Sequence, residues 1–197
     1  MKAYVTYLLY DNARRLLSTA DEARQAGIIE TEVAASIGAH LILALVLEGA
    51  INEVGETYLQ TWVWEKPEKA DIPLKWWTVV RLVSGDTLDP GKEPLQTVHR
   101  INQLRNRIAH PKAMETAEDL IVRHKDGRLE HDAARDRPVD ETITRIWIGY
   151  GKILTEFNAV ATREARNRVV NALRYLRDRA NVPGLKWLES DGETAPV

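Results

Sequence analysis

The chain has 197 residues, 44% hydrophobic and 28% charged, with 11 Gly, 8 Pro and a formal net charge of −2. That composition excludes collagen-like and disordered classes, and the near-neutral balance opposes indiscriminate binding to polyanions. No cysteine is present, which excludes thiol nucleophiles, iron–sulfur clusters and zinc sites built on Cys, and permits a reducing compartment.

A chain of this length can bury about 70% of its unfolded surface in one core. A single domain over residues 1–188 is therefore expected, with 189–197 as a flexible polar tail. From the N-terminus, Tyr4, Tyr7, Leu8, Leu16, Leu17 and Ala20 fall near helical spacing, and Gly27 suits the stop of this first helix, residues 4–25. Asp11, Arg14 and Arg15 stand where a signal peptide would be apolar.

A second, long helix is expected from Thr31, a good N-cap, through Val33, Ile37, Leu41, Leu45, Ile51, Val54 and Tyr58, with no breaker before Pro67. Around residues 41–51 it is apolar nearly all round, so it should lie centrally. Its longest uninterrupted apolar run, Leu41 to Leu47, is far short of the roughly 20 residues of a membrane span. A cytoplasmic protein with no membrane partner is expected.

Trp62 and Trp64 mark a link. Asp71-Ile72-Pro73 is a start signal for a third helix ending at Gly85, and an Asp89-Pro90-Gly91 turn follows. Pro94 suits the first turn of a fourth helix striped by Leu95, Val98, Ile101, Leu104 and Ile108. It should end near Ala109, because Pro111 drives His110 from helical angles. Residues 119–131, with Lys125-Asp126-Gly127 as a turn, suggest a small β-hairpin. Residues 141–180 read as mostly helical, with Gly149 and Gly151 as breaks, and Pro183-Gly184 closes the segment.

Charge is uneven. Residues 94–114 carry no acid, and residues 163–179 hold six Arg against Glu164 and Asp178. Each stretch is +4, leaving −10 elsewhere. The second run is expected to be solvated or ion-paired.

On helix four, at about 100° per residue, Arg105 falls within the apolar arc of Val98, Ile101, Leu104, Ile108 and Ala109. A guanidinium there needs a carboxylate, several carbonyls or an anionic ligand. On helix two, Glu48 interrupts the apolar section and Asn52 lies one turn further on the same face. Arg105 and Glu48 are therefore expected to meet between helices two and four. Such a pair would serve equally as a structural device fixing helix register. Asn106 and His110 lie four apart on an adjacent strip, bordered by His99 and Asn102.

The run Leu104-Arg105-Asn106-Arg107-Ile108-Ala109-His110-Pro111 resembles the signature of the HEPN superfamily, an Arg followed by a polar residue, a short spacer and a His at a helix end. The Leu47-Glu48 to Asn52 run and the Lys75-Trp76 pair are also similar to bacterial members. The resemblance is strongest over residues 35–112. It implies an all-α, HEPN-like helical bundle with long central helices, a homodimer with its motifs facing across a cleft, and metal-independent ribonuclease activity without a cofactor.

Carried to matching positions, the resemblance makes His110 the general acid or base, Arg105 the phosphate-binding group and Asn106 an orienting group, with Glu48 and Asn52 supporting. A ribose 2′-hydroxyl attacking the adjacent phosphodiester needs a group titrating near neutrality and fixed positive charge, which His and Arg supply. Arg100, Arg107 and Lys112 could hold RNA phosphates. A toxin or defence effector is the expected setting, with an antitoxin or a nucleotidyltransferase as partner. The alternative is a non-catalytic helical module binding a nucleotide, RNA or protein. The six tryptophans are expected to fill cores and interfaces rather than stack on bases.

Overall fold

The first two helices, α1 (Val5–Gln25) and α2 (Ile29–Tyr58), pack as an antiparallel pair. Glycine and alanine let them approach closely. A Cβ on Gly49 would lie 2.9 Å from Thr6 Oγ1, and one on Gly38 would lie 3.2 Å from Leu16 Cδ1. The buried face of α1 is Thr6, Tyr10, Ala13, Leu17, Ala20 and Ala23. Tyr7 and Leu8, expected on the packed stripe, are exposed, because the smaller Ala face, one step round the helix, fits the tight contact with α2. Thr6 Oγ1 donates to Glu53 Oε1 at 2.6 Å, tying the start of α1 to α2.

A computed structural model describes residues 5–109, 120–124, 129–132, 143–146, 157–180 and 185–190. Its helices form the expected all-α bundle around α2, which packs against α1, α3 (Thr61–Glu68), α4 (Ile72–Ser84), α5 (Leu95–Ala109) and α6 (Ala159–Ala180). A last short helix, α7, spans Trp187–Ser190. By length and composition α2 could cross a membrane, yet over half of its most apolar window is buried inside the bundle.

Local stop and start signals act as their chemistry requires. Gly27 and Gly85 adopt φ of 70° and 79°, left-handed angles that glycine takes without a Cβ penalty. Asp71 caps α4, its Oδ1 accepting from Leu74 N at 3.0 Å. Asn158 Oδ1 accepts from Ala161 N at 2.9 Å, and Glu32 Oε1 accepts from Ala159 N at 2.9 Å, so the start of α6 is fixed to α2.

Four expectations are corrected. The second helix starts at Ile29, with Ile28 rather than Thr31 at its cap position. It ends at Tyr58, the last residue of the expected apolar series, where Leu59 and Gln60 turn extended. The tryptophan link is itself a helix, α3, which accepts Pro67 in its last turn and folds back so that Trp64 covers Gly55. Residues 189 and 190, expected in the polar tail, belong to the helix Trp187–Ser190, and the rest of that tail lies outside the described residues.

The fourth correction concerns residues 141–180. Ile143–Ile146 is a strand, β3, as its dense β-branched composition favours. It joins the expected hairpin, β1 (Leu120–His124) and β2 (Leu129–Asp132), in an antiparallel sheet of order β2-β1-β3. Ile121 faces His131 on one side and Ile146 on the other in register. The predicted turn residues Lys125, Asp126 and Gly127, the breaks at Gly149 and Gly151, and Pro183-Gly184 lie outside the described residues.

Candidate functional site

The end of α5 carries the first candidate group. Leu95, Thr97, Val98, Ile101, Asn102 and Leu104 are its buried positions. Arg105 lies within that arc and is half-buried. Its Nη1 donates to Asn106 Oδ1 at 3.1 Å. Arg105 and Asn106 are thus brought together, and α5 is described as far as Ala109. His110 and Lys112 lie outside the described residues.

The expected Arg105–Glu48 pair does not form. Among the described residues Glu48 pairs with Lys75, whose Nζ lies 2.8 Å from Glu48 Oε1 and donates also to Asn52 Oδ1 at 3.2 Å. The two groups expected to support Arg105 therefore serve another cation. Lys75 is the fourth residue of α4, buried with Ile72, Trp76 and Val79. Its side chain is 4% exposed while that of Glu48 is 29%. An ammonium so enclosed requires a carboxylate, whereas the half-buried Arg105 can extend toward solvent. The test that singled out Arg105, a cation among apolar neighbours, applies equally to Lys75 in the sequence. Next to it, Trp76 is fully buried with Nε1 donating to Leu47 O at 3.0 Å.

Arg100 and Arg107 lie on a different flank of α5 from Asn106, roughly 100–120° round the helix axis at about 100° per residue. They border a cavity of about 210 Å³ between α2, α5 and α6, lined also by His40, Thr97, Gln103, Leu104, Glu164 and Arg168 among others. The expected trio of Arg100, Arg107 and Lys112 is therefore not gathered around Asn106 by the described residues.

His40, on α2, is only 2% exposed. Its Nδ1 lies 2.9 Å from Ser36 O, which places a ring hydrogen on that nitrogen, and its ring meets Phe157 edge-on at 5.0 Å. Thr97 Oγ1 is buried with no hydrogen-bond partner. The second basic run behaves in part as expected: Arg163 pairs with Asp21, Arg177 with Asp178 and Arg179 with Asp86. Arg168 instead lines the cavity.

His40, Thr97 and Arg168 were not singled out by sequence. Their only advance signal is the presence of two basic stretches, which the bundle sets side by side. Among the described residues no cluster of three or more His, Asp or Glu is placed to hold a metal. No family model matches the chain, and neither a curated protein nor a solved structure is detectably similar to it.

Proposed function

We propose that the chain is a HEPN-type endoribonuclease, with Arg105, Asn106 and His110 as its reacting centre. The observation that carries this reading is the Arg105–Asn106 hydrogen bond toward the C-terminal end of α5, within a helical bundle. Arg105 is not consumed by Glu48, so its charge remains available to a phosphate. His110 follows α5 directly in sequence.

In the proposed reaction a ribose 2′-oxygen bonds to the neighbouring phosphorus as the bond from phosphorus to the 5′-oxygen breaks. The 2′-hydroxyl proton passes to one imidazole, and the departing 5′-oxygen takes a proton from another. Arg105 stabilises the charge gathering on the phosphorane oxygens. One His110 per chain makes a twofold dimer the economical way to supply both base and acid. Products carry a 2′,3′-cyclic phosphate and a 5′-hydroxyl, and DNA, lacking the 2′-hydroxyl, resists.

The test is cleavage of single-stranded RNA by purified protein in EDTA. Native protein is expected to cut, and His110→Ala and Arg105→Ala to lose at least about a hundredfold in rate. No cutting by native protein, or undiminished cutting by His110→Ala, overturns the reading in favour of a non-catalytic binding module.

A further inference from the structure

The helices around α2 form an incomplete ring. α1 packs beside α6, α6 beside α5 and α5 beside α4, whereas among the described residues α1 and α4 share no comparable packing. Two contacts fix where the gap lies. Gly49 lies against Thr6 of α1, Glu48 meets Lys75 of α4, and Leu45, one turn earlier, stands between those two positions on the surface of α2. Leu45 therefore faces the gap, and it is 41% exposed.

The margins of the gap are apolar too. From Val33 to Leu47, α2 has no Asp, Glu, Lys or Arg. On α1, Tyr7 and Tyr10 turn to Trp187, which at about 100° per residue leaves Val5 and Leu9 toward the gap. On α4, Lys75 turns to Glu48 and Trp76 inward to Leu47 O, which puts Leu74, Thr78 and Leu82 on the outer side. Val5, Leu74 and Leu82 are 55%, 52% and 51% exposed. The outer side of α4 carries one charge, Arg81, which folds over Trp77.

We propose that this face of α1, α2 and α4 is the contact between two copies of the chain, related by a twofold axis, with Leu45 near its centre. The 13 residues of α4 run about 20 Å, and three helices side by side are roughly 30 Å across. Each copy thus offers roughly 600 Å² and the pair about 1,200 Å², the lower end of stable interfaces. Single exposed leucines need no partner, whereas a contiguous apolar patch on this scale marks an interaction site. A surface with so little charge is matched by a copy of itself, since an isologous contact sets the same patch against the same patch. The choice of a second copy rests also on the ribonuclease reading, whose two imidazoles come from two chains.

The experiment is sedimentation equilibrium of the full chain between about 1 and 100 µM. Native protein is expected to reach twice the chain mass. Leu45→Arg and Leu74→Arg are each expected to weaken the dimer at least about tenfold, with native helical circular dichroism and urea midpoint. Val160→Arg, exposed on α6 away from the gap, is expected to dimerise as native protein does. Because the chain has no cysteine, Leu45→Cys takes a single spin label, expected to be immobilised at high concentration and released on dilution, while a label on Val160→Cys is mobile throughout.

A native chain that stays monomeric at about 100 µM overturns the proposal, as does native affinity in both Leu45→Arg and Leu74→Arg, or a label at residue 45 equally mobile at both concentrations. A dimer that Leu45→Arg dissociates, formed by a chain that cuts no RNA, upholds this surface and removes only the ribonuclease reading.

Discussion

The Lys75–Glu48 pair makes an asymmetric prediction. Replacing Glu48 with Leu leaves the Lys75 ammonium, 4% exposed, with the Asn52 carbonyl at 3.2 Å as its one hydrogen-bond partner among the described residues. Breaking a buried pair in this way costs about 3–5 kcal/mol, which for a chain of this size lowers Tm by roughly 6–20 °C. Lys75→Met is expected to cost less, under about 2 kcal/mol, because Glu48 is 29% exposed and its carboxylate can turn to solvent. The double variant replaces both charges by apolar groups of similar volume and should recover most of the loss.

Urea denaturation followed by circular dichroism gives the three differences and hence the coupling energy. The same cycle run on Glu48 and Arg105, with Arg105→Met, should return a coupling within about 0.5 kcal/mol of zero. Two results would refute the reasoning: Lys75→Met proving costlier than Glu48→Leu, or a Glu48–Arg105 coupling as large as that of Glu48–Lys75.

Three further outcomes follow from the packing. A Cβ on Gly55 would overlap Trp64 Cε3 and Cζ3. Since a ring cannot bend away, Gly55→Ala should cost about 1–3 kcal/mol and shift tryptophan emission to the red. Trp76→Phe loses buried volume and the indole hydrogen bond to the Leu47 carbonyl, at about 2–3 kcal/mol in urea unfolding. Trp62, 74% exposed, should be replaceable by Ala within about 0.5 kcal/mol in the same assay.

Glu53 is the pH-sensitive case. Burial, only partly offset by the Thr6 hydrogen bonds and reinforced by nearby Glu56, holds its carboxyl above the ordinary carboxylate value. The folded state therefore keeps that proton to higher pH than the unfolded chain, and stability falls as pH rises from the unfolded value through the folded one. Glu53→Gln, still able to accept from Thr6, should raise Tm at pH 7 and bring no gain near pH 4, read by scanning calorimetry.

Much of the bundle was legible because its punctuation is local. Gly27, Asp71 and Gly85 depend on the φ or hydrogen-bonding needs of single residues, and those needs travel with the sequence. Choices set by three-dimensional packing were not legible in the same way. Whether α1 packs on Tyr7 and Leu8 or on Ala13 and Ala20 depends on how near α2 approaches, which Gly38 and Gly49 decide from across the interface. The strand at Ile143–Ile146 lay within a segment whose helical periodicity, at Val169, Leu173 and Leu176 of α6, comes only from its later part.

The candidate site divides along the same line. A cation set among apolar residues establishes that it needs a partner or an outlet, but periodicity does not say which. Arg105 and Lys75 pose the same question on neighbouring helices, and Glu48 can answer only one at close range. Burial decides it. The Lys75 side chain is 4% exposed, so it claims the carboxylate and the Asn52 carbonyl. Arg105 is half-buried and, among the described residues, has a neutral partner, Asn106. A guanidinium held by a neutral amide retains its full charge toward an incoming anion, whereas one neutralised by Glu48 would present a dipole. The exchange of partners from Arg105 to Lys75 thus removes the enclosed ion pair that the structural reading of Arg105 required, and leaves the positive charge where a phosphate could meet it.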